Sequence, residues 1–139
     1  MIRIRLVKWQ DEIHALRLIR ETVFVNEQHV PVELEWDEFD LISLHALAIG
    51  LDGEPVGTAR LLLDGHIGRM AVLKEWRGQG VGSALLQRLL EEAKNRGLQQ
   101  VVLNAQTYAT EFYKRFGFQV VGKVFMDAGI THVQMTLRL

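Results

Sequence analysis

A glycine-rich turn in front of a strongly amphipathic segment constrains this chain more than any other feature. The turn reads Arg77-Gly78-Gln79-Gly80-Val81-Gly82, and residues 83–96 follow it with apolar side chains at three- and four-residue spacing. That spacing predicts a helix with one buried face, and Gly97 supplies its C-terminal stop. The free N–H groups and positive dipole end at a helix start favour anions, and glycine lets a phosphate approach the backbone. The feature therefore predicts a phosphate-binding turn, with a loop that binds nothing as the alternative.

Two common nucleotide-binding motifs do not fit this turn. A P-loop closes with Gly-Lys-Ser/Thr, but no lysine follows Gly82. A dinucleotide fingerprint needs a glycine three residues after Gly80, and Ser83 holds that place. The dinucleotide motif also follows the first strand of a parallel βαβ unit, whereas the pattern before this turn is antiparallel.

The segment before the turn predicts a strand, a helix and a three-strand meander. Residues 2–6 alternate apolar and basic side chains, as in a half-buried strand. From Asp11, which can cap a helix, apolar residues recur at helical spacing toward residue 28, and the acidic segment 33–40 predicts a loop with one helical turn. Between residues 45 and 73, two Asp-Gly dipeptides mark hairpin turns.

The segment after the turn predicts two helices and three strands. We expect, in chain order, a helix over 83–96, a strand around 101–103, a short helix over 110–116, and strands over 119–124 and 131–137. The complete order is β-α-βββ-α-β-α-ββ. No repeat, linker or low-complexity tract divides residues 1–139, so we expect a single domain.

The composition of the chain limits the classes of partner that we expect it to bind. The net charge is −1, from 16 basic and 17 acidic residues, which argues against nucleic acid or an anionic membrane as a partner. The chain has no cysteine and no long apolar run, so we expect a cytoplasmic protein without disulfides. The five histidines show no paired metal-ligand spacing, so we expect no metal site.

The motifs around the turn resemble those of the GNAT acetyltransferase superfamily. Residues 77–82 resemble its R/Q-x-x-G-x-G/A signature, residues 67–72 resemble its fourth strand, and residues 109–118 (ATEFYKRFGF) resemble its A-x-x-F/L-Y-x-x-x-G-F element. The region around residues 23–28, with His45 and the tail 127–132, further resembles a small bacterial ElaA-like branch. The resemblance implies an α+β fold in which helices cover both faces of a mixed, mostly antiparallel seven-strand sheet.

The resemblance also implies acetyl-CoA as the acyl donor. The turn would hold the pyrophosphate, the fourth strand would pair with the pantetheine arm where the fourth and fifth strands splay after a bulge, and an N–H of Ala71 or Val72 would stabilise the oxyanion. The implied cofactor-binding residues are Met70, Ala71, Val72, Arg77, Gly78, Gln79, Gly80, Val81, Gly82, Ser83, Gln106 and Tyr113. Gln106 departs from the asparagine that many members carry there.

Catalytic side chains are less clearly indicated. Tyr113 matches the family tyrosine that can act as general acid toward the departing thiolate, and a packed aromatic residue is the alternative. An amine nucleophile must lose a proton, for which the candidates are Glu27, Glu33, His45 and His132. We therefore expect an N-acetyltransferase in which a primary amine of a small molecule or peptide attacks acetyl-CoA directly; a homodimer stays open.

Two other functions stay open. A CoA-binding sensor without catalysis would keep the glycine turn. The pattern Glu35-x-Asp37-x-x-Asp40, with Arg20 and Arg60, also resembles the front half of acyl-homoserine-lactone synthases, which gives a minor acyltransferase alternative. In those proteins the matching residues form a structural ion-pair cluster, and we expect the same scaffold role here.

Overall fold

The computed structural model describes residues 2–139 and contains one seven-stranded mixed sheet. Its strands are β1 (Arg3–Lys8), β2 (Leu44–Ile49), β3 (Pro55–Leu61), β4 (His66–Val72), β5 (Gln100–Gln106), β6 (Gln119–Asp127) and β7 (Ile130–Arg138). They lie in the order β1-β2-β3-β4-β5-β7-β6. Every neighbouring pair is antiparallel except β4 and β5, which are parallel. The predicted meander and α+β fold are confirmed.

Helices cover both faces of the sheet. They are α1 (Ile13–Arg20), which continues as a π-helical segment over Glu21–Glu27, then α2 (Val32–Glu35), α3 (Val81–Asn95) and α4 (Thr110–Lys114). The apolar face of α3 packs on one side of the sheet through Leu85, Leu86 and Leu89, all fully buried. On the other side, Leu16 and Ile19 of α1 form a second cluster with residues of β1 and β2. The sheet therefore lies between two helical layers, each with its own apolar cluster.

A bulge in β4 opens the sheet at its centre. The β3–β4 register moves from Arg60↔Gly68 to Thr58↔Ala71, so β4 carries one extra residue. Arg69 lies at this point with φ +51°, a left-handed conformation that bulges use. Beyond it β4 turns away from β5, and the two strands pair only at His66↔Val102 and Ile67↔Leu103. The splay leaves one edge of β4 without a strand partner.

The observed elements differ from the sequence-based expectations at several ends. Asp11 does not cap α1: it lies in a 3₁₀ turn over Trp9–Asp11, and α1 starts after Glu12. The α3 helix starts two residues earlier than expected, at Val81. The final hairpin is longer than expected because β6 and β7 pair as far as Asp127↔Ile130, beyond the apolar stretch that marked β6 in the sequence.

Candidate functional site

The splay between β4 and β5 opens a groove between the two strands. Its cavity has a volume of about 790 Å³. The walls come from β4, β5, the end of the α1 segment, the acidic segment, α4 and the β6–β7 turn. The lining includes Glu27, Gln28, Glu35, Asp37, Arg60, Arg69, Met70, Ala71, Val72, Arg77, Asn104, Gln106, Tyr113, Asp127 and His132. The groove therefore gathers residues that are widely separated along the chain.

The glycine turn, residues 77–82, lies beyond the end of β4 and leads into α3. Gly78 and Gly80 have φ values of +75° and +85°, a conformation that a side chain would strain. A Cβ atom at either position would meet no atom within 4 Å, so the space above the turn is open. The first helical bond runs from the Ala84 N–H to the Gly80 carbonyl, which leaves the N–H groups of residues 81–83 without a partner inside the helix. The turn therefore presents a set of free backbone donors.

The Arg77 side chain ties the turn to the α1 segment. Its Nη1 and Nη2 donate to the two carboxylate oxygens of Glu27 at 2.7 and 2.9 Å, and its Nε donates to the Val72 carbonyl at 2.9 Å. The hydrogen bonds from Arg77 lower the pKa of Glu27 and raise that of Arg77 itself. A carboxylate held in this way is a poor proton acceptor, so the geometry disfavours Glu27 as the general base.

A second contact closes the groove beside the first. The amide of Gln106 at the end of β5 donates to Gln28 Oε1 at 2.8 Å. Consecutive residues of the π-helical segment, Glu27 and Gln28, thus reach the two walls on either side of the splay. Gln28 was not among the sequence-predicted site residues, because nothing local in the sequence shows its pairing with a residue 78 positions away.

Tyr113 lies in the middle of the groove, in an aromatic cluster. Its ring packs edge-on against Phe112 and Phe118, with centroids 5.1 and 5.9 Å apart. Its hydroxyl points at a sulfur atom, Met70 Sδ, at 3.9 Å. Burial raises the pKa of Tyr113 to about 12. The phenol therefore keeps its proton at neutral pH and donates a hydrogen bond.

His132 on β7 lines the same groove. Its Nδ1 lies 2.8 Å from the Ile130 carbonyl oxygen. Because a carbonyl can only accept, Nδ1 carries the proton of the neutral ring and Nε2 is left with a lone pair. The ring stacks on Phe125, with centroids 5.9 Å apart and planes 24° apart. These contacts fix both the tautomer and the orientation of the imidazole.

Six charged side chains form an ion cluster at the far end of the groove from the glycine turn. Arg20 is fully buried and donates to Glu35 and Asp40 at 2.7 Å each. Arg60 donates to Asp37 and Asp40 at 2.8 and 3.0 Å. The members of the ion cluster are Arg20, Glu35, Asp37, Asp40, Arg60 and Arg69. The scaffold role expected for Arg20, Glu35, Asp37 and Arg60 fits their burial and pairing.

The sixth member, Arg69, was missed by sequence analysis. Its Nη2 donates to Asp37 at 3.1 Å, and its Nε lies 3.5 Å from Glu35 Oε2 in poor hydrogen-bond geometry. Burial lowers the pKa of Arg69 and, against the pull of Arg20, raises that of Glu35. The available signal was an arginine inside an otherwise apolar strand pattern, Ile67 to Val72.

The structure separates two sequence-predicted base candidates from the groove. His45 on β2 is fully buried, its Nε2 donates to the Asp40 carbonyl at 2.9 Å, and burial lowers its pKa. Glu33 lies exposed on α2 and is not part of the groove lining. Of the four candidates, only Glu27 and His132 line the groove.

Across residues 2–139, no three histidine or acidic side chains are arranged to hold a metal ion. None of the helices in the same range has the length and apolar character needed to cross a membrane.

Comparison with known proteins identifies the family. The family model for an acetyltransferase (GNAT) domain matches residues 12–139. The chain is 41% identical over 135 residues to the uncharacterized N-acetyltransferase YjcF of Bacillus subtilis, covering 94% of this chain and 95% of that protein. An acyl-CoA N-acyltransferase from Pseudomonas aeruginosa superposes with a TM-score of 0.87 at 33% identity, covering 98% and 99% of the two chains. The structure of Escherichia coli ElaA superposes with a TM-score of 0.86 at 32% identity, covering 98% and 99%. The chain belongs to the GNAT acetyltransferase family.

Proposed function

We propose that the protein transfers an acetyl group from acetyl-CoA to a primary amine, which attacks directly while both substrates are bound. The observation that carries this proposal is the joining of the glycine turn to the open edge of β4 within one groove. The turn offers donors for a pyrophosphate, and the open edge offers backbone groups for an extended amide-containing arm. Family membership supports the same activity.

The residues of the groove fit CoA. Gly78 and Gly80 keep the space above the turn open, and the N–H groups of residues 81–83 point from a helix start, where negative charge is favoured. Residues 70–72 would pair with the pantetheine arm as an added strand. Arg77, whose guanidinium is oriented by Glu27, would offer its remaining N–H groups as further donors beside the turn. When bound, acetyl-CoA supplies an activated thioester.

Charge that develops during attack needs a donor at the thioester carbonyl. We assign this role to an N–H of Ala71 or Val72, on the part of β4 beyond its last pair with β5. A preorganised backbone donor in such a position typically stabilises an oxyanion by about 3 kcal/mol.

His132 is the general base in this proposal. Its Nε2 lone pair is available because Nδ1 is held by the Ile130 carbonyl, and the ring lines the groove. Proton removal by a base in this position leaves the amine nitrogen free to attack. Replacement by Gln should lower kcat by about 100-fold or more, with little change in acetyl-CoA affinity.

Tyr113 donates a hydrogen bond to the departing sulfur. With a pKa of about 12, its phenol is a weaker acid than an ordinary thiol, whose pKa is about 8.5. It therefore stabilises the departing thiolate by donating a hydrogen bond rather than by giving up its proton. The contact of its hydroxyl with Met70 Sδ supports a role as a sulfur-directed donor. Tyr113→Phe should lower turnover by about tenfold while acetyl-CoA binding stays nearly unchanged.

The test is release of free thiol from acetyl-CoA with and without an added amine. The proposal expects thiol release that depends on the amine, with formation of an equal amount of N-acetyl product. Acetyl-CoA binding without thiol release across a broad amine panel would instead support a CoA-binding sensor. The absence of acetyl-CoA binding would contradict both. We place the activity in the cytoplasm, in keeping with the composition.

A further inference from the structure

The ion cluster holds more hydrogen-bond donors than it can satisfy. Among buried side-chain atoms of residues 2–139, the Nε atoms of Arg60 and Arg69 are two of three without a hydrogen-bond partner; the third is His45 Nδ1. Both arginines line the groove. An unsatisfied buried donor is costly and is normally met by a water molecule or a ligand. Both Nε atoms are themselves shielded from the groove, so a ligand would meet these arginines through the more exposed ends of their guanidinium groups.

Arg69 is the arginine of the ion cluster best placed to meet a ligand. Its side chain is 27% exposed, whereas those of Arg20 and Arg60 are 0% and 8% exposed. It lies two residues before Ala71 on β4, so the two positions are about 7 Å apart along the strand. Its positive φ is sparsely populated for a side chain other than glycine, and such strain concentrates at functional sites.

The two aspartates of the cluster are already occupied. Asp37 accepts from Arg60 through one oxygen and from Arg69 through the other. Asp40 accepts from Arg20 and Arg60 through the same oxygen. A cationic group on the acceptor would have to displace an arginine in order to pair with either aspartate. Asp127, which also lines the groove, is exposed at the β6–β7 turn, where solvent weakens its attraction.

We propose that the acceptor is an amino acid-like compound whose carboxylate binds Arg69 while its primary amine faces the thioester site. The inference rests on the transfer activity proposed above. A guanidinium and a carboxylate form paired, charge-assisted hydrogen bonds, which are stronger than neutral ones. The carboxylate would accept from the exposed end of the Arg69 guanidinium, beside the Nη2 hydrogen bond to Asp37. In the ion cluster, arginines and carboxylates pair in turn, and the carboxylate of the acceptor would add one more pair at the groove surface.

The experiment compares matched substrates. A panel of L-amino acids and their carboxamides is assayed by thiol release from acetyl-CoA, with kcat/KM expressed per deprotonated amine. At least one amino acid should exceed its carboxamide by about tenfold or more, mainly through KM. Equal use of acids and carboxamides across the panel would overturn the inference.

Variants of Arg69 decide whether this side chain carries the preference. Arg69→Met should reduce the preference to below about threefold, and Arg69→Lys should retain part of it because the charge remains. Arg5→Met is the control, since the Arg5 side chain is exposed on the edge strand β1 and pairs with Glu12, away from the ion cluster. An undiminished preference in Arg69→Met contradicts the inference. If that variant does not fold, the wild-type comparison and Arg69→Lys give the answer.

Binding measurements separate this inference from the transfer activity. The same pairs are titrated calorimetrically into wild-type and Arg69→Lys protein in the presence of CoA. Carboxylate-dependent binding that weakens in the variant supports the inference even where no transfer occurs. Failure of every amino acid to bind more tightly than its carboxamide overturns it, whether or not other amines are acetylated.

Discussion

The two ends of the groove are built in different ways. The glycine turn is a backbone structure of six consecutive residues, exposed over residues 77–80 and shaped by positive φ angles at Gly78 and Gly80. The ion cluster is a set of mostly buried side chains whose arginine–carboxylate hydrogen bonds join residues 15 to 32 positions apart in the chain. A backbone site depends on local conformation, whereas a buried charge cluster depends on every partner being present. Substitutions at the two ends should therefore differ in their effects on stability and on acetyl-CoA binding.

The largest effect is expected at Arg20. Arg20→Met removes donors from Glu35 and Asp40 and leaves their buried carboxylates short of positive charge. Loss of one partner from a buried ion pair typically costs about 3–5 kcal/mol. Urea unfolding should show that loss in the free energy of unfolding, while the exposed control Arg5→Met stays within about 0.5 kcal/mol of wild type. A change below 1 kcal/mol in Arg20→Met would mean that the cluster does not depend on its partners.

The next prediction concerns Tyr113 and tests whether its phenol is shielded from water in the middle of the groove. Its pKa is raised from 10.0 to about 12, so its contribution to stability is complete below pH 10 and is lost as the pH rises toward 12. The two-unit shift corresponds to about 2–3 kcal/mol. Wild type and Tyr113→Phe should therefore diverge in free energy of unfolding between pH 10 and 12, with wild type losing more. If the free energies of unfolding of wild type and Tyr113→Phe change in parallel between pH 10 and 12, the phenol is hydrated.

Gly80 tests the backbone end with a matched control. Gly80 and Gly53 have φ values of +85° and +82°, and a Cβ atom at either would meet no neighbour within 4 Å. Alanine should therefore cost about 1–2 kcal/mol of stability at each. Only Gly80→Ala should also weaken acetyl-CoA binding, by about tenfold, because it disturbs the donors at the start of α3. Equal acetyl-CoA affinity in the two variants would show that the glycine turn is not part of the acetyl-CoA site.

The smallest effect is expected at the Glu27–Arg77 pair. Both side chains are substantially exposed, at 37% and 41%. Glu27→Gln should change stability by less than about 1 kcal/mol, and the change should shrink as salt is added. Chemical denaturation at low and high ionic strength measures this. A large, salt-independent loss would place the pair with the buried cluster rather than with the exposed turn.

The glycine turn at one end of the groove can be predicted from the sequence far better than the ion cluster at the other end. The glycine turn and α3 are encoded locally, by residues whose conformational preferences are visible in order. The splay itself depends on an extra residue at Arg69, and no local pattern announces that an arginine will adopt a positive φ. His45 seemed available as a base because burial is a tertiary property, and β1 and β3 flank its strand on both sides.

Distance along the chain explains the other gaps. The pairing of Gln28 with Gln106, and of Glu27 with Arg77, forms only when the α1 segment crosses the open groove. The resemblance to homoserine-lactone synthases anticipated Arg20, Glu35, Asp37 and Arg60 as scaffold. The bonds of Asp40 and Arg69 within that cluster became visible only in three dimensions.

The central claim is that the glycine turn and the open edge of β4 together bind acetyl-CoA. Amide hydrogen exchange with and without acetyl-CoA tests it most directly. We expect slower exchange on binding at residues 70–72 and 78–83, and little change along β1 or at the Asp52-Gly53 turn. Saturable acetyl-CoA binding with unchanged exchange at both segments would contradict the account.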